Sequence, residues 1–298
     1  MAKFDSASLI GTNLDDVTIL KEIGRGHKGM VCLGFQNNLK RQVAVKILPK
    51  ALISNPLEQQ MFEEEARTIA GLTHPNILQI YKIGETDDLY YQVVQLVKGD
   101  NLNTIILNKK KHPIIQKRLL SVGEILKISI QILEALKYAH NEDIFHRDIK
   151  PSNILVEEAQ NGRAFLCDFG VSFAGNDENV FDIDAIVGSP VYISPEQAQG
   201  KKLDARADIY SMGMTLLKMI LGDIPRRSER PEEILRRKAI DPDSFFTANI
   251  KEILPENYRI FAPILEKSLA SDKNKRYFTA EEFLNDLKFL ERKYNERN

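Results

Sequence analysis

Near Gly99-Asp100 the spacing of apolar residues changes period, and that change limits the folds open to the 298-residue chain. Upstream, Val17-Ile19, Met30–Phe35 and Val43-Ala44-Val45-Lys46-Ile47 are β-rich runs. A glycine-rich turn and the polar turn Gln36–Arg41 separate them, the pattern of an antiparallel meander. Pro56 then opens a helix with Phe62, Glu65, Ala66, Ile69 and Ala70 on one face, and His74-Pro75-Asn76 ends it. Two more strands are expected over Ile77–Ile83 and Tyr90–Val97. Downstream, Ile125, Ile128, Ile132, Leu136 and Ala139 recur at helical spacing. The chain therefore reads as α+β. An extension over 1–16 leads into a small antiparallel β lobe with one helix over 17–97, and a larger, mainly helical lobe follows over 98–298.

Hydrophobic residues make up 43% and charged residues 28%, the usage of a soluble globular protein able to bury a large core. Lys and Arg total 41 against 42 Asp and Glu, so no global field draws the chain to nucleic acid or an anionic membrane. Its two cysteines, Cys32 and Cys167, build neither a disulfide framework nor a four-ligand zinc site, which favours a reducing cytoplasm. The start, Met1-Ala2-Lys3-Phe4-Asp5, has no apolar signal core or myristoylation glycine, and no run reaches the ~18–20 apolar residues that span a bilayer. The basic runs Lys109-Lys110-Lys111 and Arg236-Arg237-Lys238 read as solvated faces.

Gly24-x-Gly26-x-x-Gly29 runs into the strand Met30-Val31-Cys32-Leu33 rather than opening a helix. That context fits a hairpin lid over phosphates better than a dinucleotide fingerprint. Glycine suits such a lid because side chains would hold backbone N–H groups away from phosphate oxygens, and because the turn can demand positive φ. In the following strand, alternation puts Ala44 and Lys46 on one face and Val43, Val45 and Ile47 on the other. Glu65 interrupts the apolar stripe of the next helix, and a carboxylate there needs a counter-charge, for which Lys46 is the candidate. The pair would fix Lys46 on nucleotide phosphates.

The strongest signal is His146-Arg147-Asp148-Ile149-Lys150-Pro151-Ser152-Asn153 followed by Asp168-Phe169-Gly170. These residue types suit phosphoryl transfer, in which a protein mostly positions groups and neutralises charge. Asp148 would accept the substrate hydroxyl's proton and Lys150 would meet the γ-phosphate. Asn153 and Asp168 would hold Mg²⁺ through hard oxygen ligands.

With these motifs in this order, the chain resembles the Hanks-type protein kinases, and most closely the eukaryotic-like serine/threonine kinases of bacteria. The resemblance runs from about Val17 to the last helices and implies the bilobal protein kinase fold. It implies ATP as phosphate donor, Mg²⁺ as cofactor with Mn²⁺ as a substitute, and protein substrates, with autophosphorylation included. Ser194-Pro195-Glu196 stands where the family has Ala-Pro-Glu, Glu196 is expected to pair with Arg276, and Asp208 to anchor the catalytic-loop backbone. A hinge is implied at Gln95-Leu96-Val97 with Val94 behind it, and Val31, Ala44 and Leu155 around adenine. Ile69, Ile80, His146 and Phe169 match stacked side chains that join the family's lobes; for all these apolar positions core packing is an equal reading. Lys150-Pro151 resembles the serine/threonine branch, and Gly188-Ser189-Pro190 lies where the family positions the acceptor hydroxyl.

Some positions depart from the family pattern. His27-Lys28 occupy the glycine-loop tip, Ser189 stands for a more usual threonine and Ser194 for alanine. From Asp168 to Glu196 the only hydroxyl acceptors are Ser172, Ser189, Tyr192 and Ser194. Asp177, Glu178, Asp182 and Asp184 make the segment acidic: a carboxylate could replace a loop phosphate opposite Arg147, or the stretch could simply be solvated. Cys167 is expected to face the nucleotide. Arg226, Arg227 and Arg230 remain unassigned between contact with acidic substrates and a solvated surface. Two rivals are a non-catalytic pseudokinase scaffold and a small-molecule kinase. The first is countered by the presence of Lys46, Glu65, Asp148, Asn153 and Asp168, the second by the segment Ser189–Glu196 with Asp208 and Arg276.

Overall fold

The computed structural model describes residues 6–25, 29–52, 70–158, 162–169, 190–228 and 230–296. It divides into two compact units, Met1–Lys98 and Gly99–Asn298. The helix expected to start at Pro56, with Glu65 and Ile69, lies outside the described residues, as do Gly26, His27-Lys28, Gly170 and the acidic segment through Ser189.

The first unit is a six-stranded sheet in the order β1-β2-β3-β4-β6-β5, all neighbours antiparallel. Its strands are β1 (Asn13–Leu14), β2 (Val17–Arg25), β3 (Met30–Gln36), β4 (Arg41–Pro49), β5 (Ile80–Glu85) and β6 (Leu89–Val94). Period-two alternation in β4 sends Val43, Val45 and Ile47 into a core with Met30, Cys32, Tyr91 and Val93, whereas Ala44 and Lys46 point the other way. Residues 6–16, expected as an extension, join this unit. Leu9 and Leu14 enter the core, β1 pairs with β2, and Lys82 bridges to Asp15 at 2.7 Å. Tyr91 donates its hydroxyl to the same carboxylate. The fifth strand starts later than expected because the turn at His74 continues to Ile77, whose N–H reaches the His74 carbonyl at 3.1 Å.

The second unit opens with β7 (Gly99–Asn101), which pairs with β8 (Ile154–Glu157), itself paired with β9 (Ala164–Leu166). Its helices are α1 (Leu102–Lys110), α2 (Val122–Asn141), α3 (Pro195–Ala198), α4 (Ala205–Leu221), α5 (Pro231–Ile240), α6 (Ile250–Ile253), α7 (Ala262–Ser268) and α8 (Ala280–Asn295). The stripe Ile125, Ile128, Ile132, Leu136 and Ala139 lies on the buried face of α2, which begins with a Ser121–Glu124 capping box. Helix α4 is buried nearly all round, including Met212, Met214, Leu216 and Leu217, as expected of a central core helix. Asp204 caps its start, and Gly222 at φ 69° ends it in the left-handed conformation that glycine adopts without strain.

Candidate active site

The loop between α2 and β8 carries Asp148, Lys150 and Asn153, and the structure brings the three together. Lys150 Nζ lies 2.6 Å from Asp148 Oδ2, and Asn153 Nδ2 donates to the same oxygen at 3.0 Å and to the Asp148 carbonyl at 2.9 Å. One face of the carboxylate is thus engaged, and the side chain remains 38% exposed. Asn153 is buried, and its carbonyl accepts the Cys167 N–H at 3.0 Å, which sets it beside the residue preceding Asp168.

The loop is held from beneath by Asp208 on α4. Its Oδ2 accepts the His146 N–H at 2.8 Å and its Oδ1 the Arg147 N–H at 2.7 Å. Burial alone would push this carboxyl up, but the His140 ring at 2.9 Å and the two backbone donors hold it below the usual carboxylate range. Arg147 sits at φ 63°, a costly conformation for a side chain with a Cβ. Asp208 binds its N–H, and Gln197 Nε2 donates to its carbonyl at 3.0 Å, so both ends of the strained residue are held.

His146 is fully buried. Its Nε2 faces the Cys167 carbonyl at 3.1 Å and its Nδ1 accepts the Asp148 N–H at 3.2 Å, which specifies the neutral ring protonated on Nε2. Burial also lowers its pKa, in agreement with a neutral ring. The ring lies 4.5 Å from that of Phe169, a contact that links the catalytic loop to the Asp168 segment. Asp168 itself is exposed, at φ 55°. Among the described residues no cluster of three or more His, Cys, Asp or Glu forms a protein-only metal cage. Mg²⁺ is commonly held by one or two protein oxygens together with substrate phosphates. Asn153 Nδ2 donates to Asp148, so Oδ1, which Ser152 Oγ reaches at 3.5 Å, is the atom the amide would offer to a divalent cation.

In the first unit, Lys46 pairs across the sheet with Val31 and Gln92, and Ala44 with Leu33 and Val94. Directly opposed residues share a face, so Val31, Ala44, Lys46 and Val94 stand together on the side away from the apolar core. Gln95 and Val97 follow β6 and are half-buried, as is Leu155 on β8 of the second unit. Of the three glycines, Gly24 and Gly29 are among the described residues. Neither Gly24 nor Gly29 has positive φ. A Cβ on Gly29 would meet the Ile47 carbonyl oxygen at 2.4 Å, so close strand approach excludes a side chain there, while Gly24 faces only ordinary contact.

Around the expected substrate platform, Glu196 and Arg276 form the expected pair, at 2.6 and 2.8 Å, with both side chains buried. Ser194 replaces alanine for a local reason: its hydroxyl caps α3 by accepting the Gln197 N–H at 3.3 Å, and Gln197 Oε1 accepts the Ser194 N–H at 3.0 Å. Its side chain is fully buried, which removes it as a phosphate acceptor.

Three residues that sequence reasoning passed over complete this region. Three successive carbonyls have side-chain donors: Lys238 Nζ reaches Val191 at 2.5 Å and Ile193 at 2.6 Å, and Ser211 reaches Tyr192 at 2.8 Å. Gln197 is the third, through its bond to Arg147. Lys238, read above as part of a solvated basic run, is fully buried between the rings of Tyr210 and Phe245 at 4.8 and 4.6 Å. Its spacing of four from buried Ile234 was the available signal. Lys238→Met is expected to leave the buried Val191 carbonyl without its donor, at about 1–3 kcal/mol, and the partly buried Ile193 carbonyl at less. Relief of the buried charge offsets part of this cost. Hydrogen exchange should accelerate across 190–198 while α2 stays protected; unchanged exchange at 190–198 would show that Lys238 does not hold the segment.

The protein kinase domain family model matches residues 17–289. The chain is 35% identical over 271 residues to the serine/threonine-protein kinase PrkC of Bacillus subtilis, covering 91% of this chain and 40% of the relative. It is 33% identical over 281 residues to a probable serine/threonine-protein kinase of Clostridium perfringens, covering 93% and 38%. It thus spans about two fifths of the length of these relatives. The crystal structure of the Mycobacterium tuberculosis PknI kinase domain superposes with a TM-score of 0.71 at 23% identity, covering 94% of this chain and 98% of that one, which shows the same fold. By sequence match and by fold, the chain belongs to the protein kinase family.

Proposed function

We propose that the chain is a serine/threonine protein kinase that transfers the γ-phosphate of ATP to hydroxyls of protein substrates. The observation that carries this reading is the Asp148 carboxylate, with one oxygen engaged by Lys150 at 2.6 Å and Asn153 at 3.0 Å. Its other oxygen is suited to accept the proton of a substrate hydroxyl. The hydroxyl oxygen then bonds to the γ-phosphorus as the bond to the β–γ bridging oxygen breaks, and ADP leaves. Lys150 is placed to shift toward the transferring phosphoryl group, and Lys46 is the strand cation assigned to the other phosphates, with Glu65 as its intended partner. Gly24, Gly26 and Gly29 would cover the phosphates. Val31, Ala44, Val94 and Leu155 would enclose adenine, with the backbone of Gln95 and Val97 as its hydrogen-bonding edge. Asn153 and Asp168 would hold Mg²⁺, or Mn²⁺ in its place, which when bound neutralises phosphate charge.

Retention of Lys46, Asp148, Asn153 and Asp168 favours transfer over a silent scaffold. Neither of the two buried cysteines is in a disulfide, which supports a reducing, cytoplasmic setting. The test is incubation with Mg²⁺, γ-labelled ATP and one basic and one acidic protein acceptor, with an Asp148→Asn preparation as background. Phosphoserine or phosphothreonine mapped by mass spectrometry, from the wild type only, is the expected result. Nucleotide binding without transfer to either acceptor or to the chain itself would overturn the proposal in favour of a scaffold.

A further inference from the structure

The connection between α1 and α2 carries a local charge that the near-neutral whole conceals. Residues 101–123 contain five cations, Lys109, Lys110, Lys111, Lys117 and Arg118, and no Asp or Glu. Two of the five are answered from other elements. Lys109 meets Glu124 of α2 at 2.8 and 2.9 Å, and Lys110 lies 3.8 Å from Asp223, a carboxylate that also holds Lys218 at 2.9 Å. Arg118 donates to the His112 carbonyl at 3.0 Å, a neutral partner that leaves its charge in place. Lys111, Lys117 and Arg118 have no carboxylate partner among the described residues.

Cations at the end of a helix are favoured by its dipole, so the charge alone does not call for a partner. The apolar residues set among the cations do. Every residue from Pro113 to Arg118 is exposed, and within that stretch Ile114 is 48% and Ile115 71% exposed. Single exposed apolar residues are ordinary on a protein surface; two adjacent isoleucines between Lys111 and Lys117-Arg118 make an apolar tip flanked by positive charge. The tip also has backbone partners of its own. The Ile114 N–H donates to His112 Nδ1 at 3.1 Å, and the Ile114 and Ile115 carbonyls accept the Lys117 and Arg118 N–H groups at 3.0 Å, so the loop can leave water without stranding them. A single-stranded nucleic acid would need aromatic platforms, and residues 101–123 hold no Phe, Tyr or Trp. An acidic peptide would use the charge and leave the isoleucines in water. A bilayer with anionic headgroups uses both, by charge complementarity and by taking up aliphatic side chains.

We propose that residues 111–118 form a contact surface for an anionic lipid bilayer. Ile114 and Ile115 enter the headgroup region, and Lys111, Lys117 and Arg118 meet lipid phosphates. The basic run Lys109-Lys110-Lys111, read above as a solvated face, thereby gains a role. With 41 Lys and Arg against 42 Asp and Glu the whole chain supplies no long-range attraction, so the contact is local and reversible rather than an anchor. It is independent of phosphate transfer and can be measured without nucleotide.

The experiment is co-sedimentation of the whole chain with vesicles of phosphatidylcholine, alone or mixed with phosphatidylglycerol. The wild type is expected to sediment with the mixed vesicles, to stay in solution with the neutral ones, and to be released by raised salt. Lys111→Glu combined with Lys117→Glu should weaken binding by at least about tenfold. Ile114→Ser combined with Ile115→Ser, which changes no charge, should weaken it by about tenfold as well. Arg236→Glu, in the chain's other basic run, should bind as the wild type does. All the substituted side chains are exposed, and a melting temperature matching the wild type shows that each variant is folded. Absence of binding to the mixed vesicles, or equal binding to the neutral ones, overturns the proposal, as does binding that either double variant retains in full. If the isoleucine variant alone retains it, and polyglutamate competes with the vesicles, the surface belongs to an acidic protein segment instead.

Discussion

Replacing Asp148 by asparagine is expected to lower kcat for phosphate transfer by about 10²–10⁴-fold, the range for loss of a general base. The substitution keeps the size of the side chain. Lys150 has only donors to offer, so the new amide must turn its oxygen toward Lys150 and its NH₂ toward the substrate hydroxyl, where an acceptor is required. The loop's shape should survive, because the backbone at His146 and Arg147 is bound by Asp208 and Gln197 rather than by the Asp148 side chain. Melting temperature and ATP affinity should therefore stay near wild type. A turnover within threefold of wild type would remove Asp148 from the role of base.

The second large effect concerns stability. Arg276→Met should cost about 3–5 kcal/mol, the range for breaking a buried ion pair from one side. Arg276 binds Glu196 through two bonds, donates to the carbonyls of Ala270, Arg206 and Ser271, and lies over the Tyr210 ring at 4.9 Å. Methionine fills part of the volume but leaves the buried Glu196 carboxylate without its counter-charge. At roughly 2–4 °C per kcal/mol for a unit of this size, the melting temperature should fall by about 6–20 °C. Adding Glu196→Gln should recover part of the loss, since a neutral amide tolerates burial better than a lone carboxylate. Losses that simply add in the double variant would argue against direct coupling of the pair.

Much of the architecture was legible because it depends on local spacing. Alternation in Val43–Ile47 assigned β4 its two faces, and the spacing of three and four from Ile125 to Ala139 assigned α2 its buried stripe. The positions of Glu196 with Arg276, and of Asp208 beneath the catalytic loop, were available only through resemblance to the family, because nothing in their spacing brings residues 80 or 62 positions apart together. Local pattern misled in two places. Residues 6–16 looked like an extension but bury Leu9 and Leu14, and Lys238 looked solvated within a basic run.

The amino-acid sequence alone determined which runs become strands and helices, which faces turn inward, and the order of the phosphoryl-transfer motifs, since each depends on residues within a turn or two of one another. Tertiary structure alone decided that Lys238 holds carbonyls 45 and 47 residues away and that Ser211 holds one 19 residues away. The physical reason is common to both. A buried charge or polar group is stable only with its partners in place, and those partners come from elements that meet through folding of the whole unit rather than through proximity along the chain.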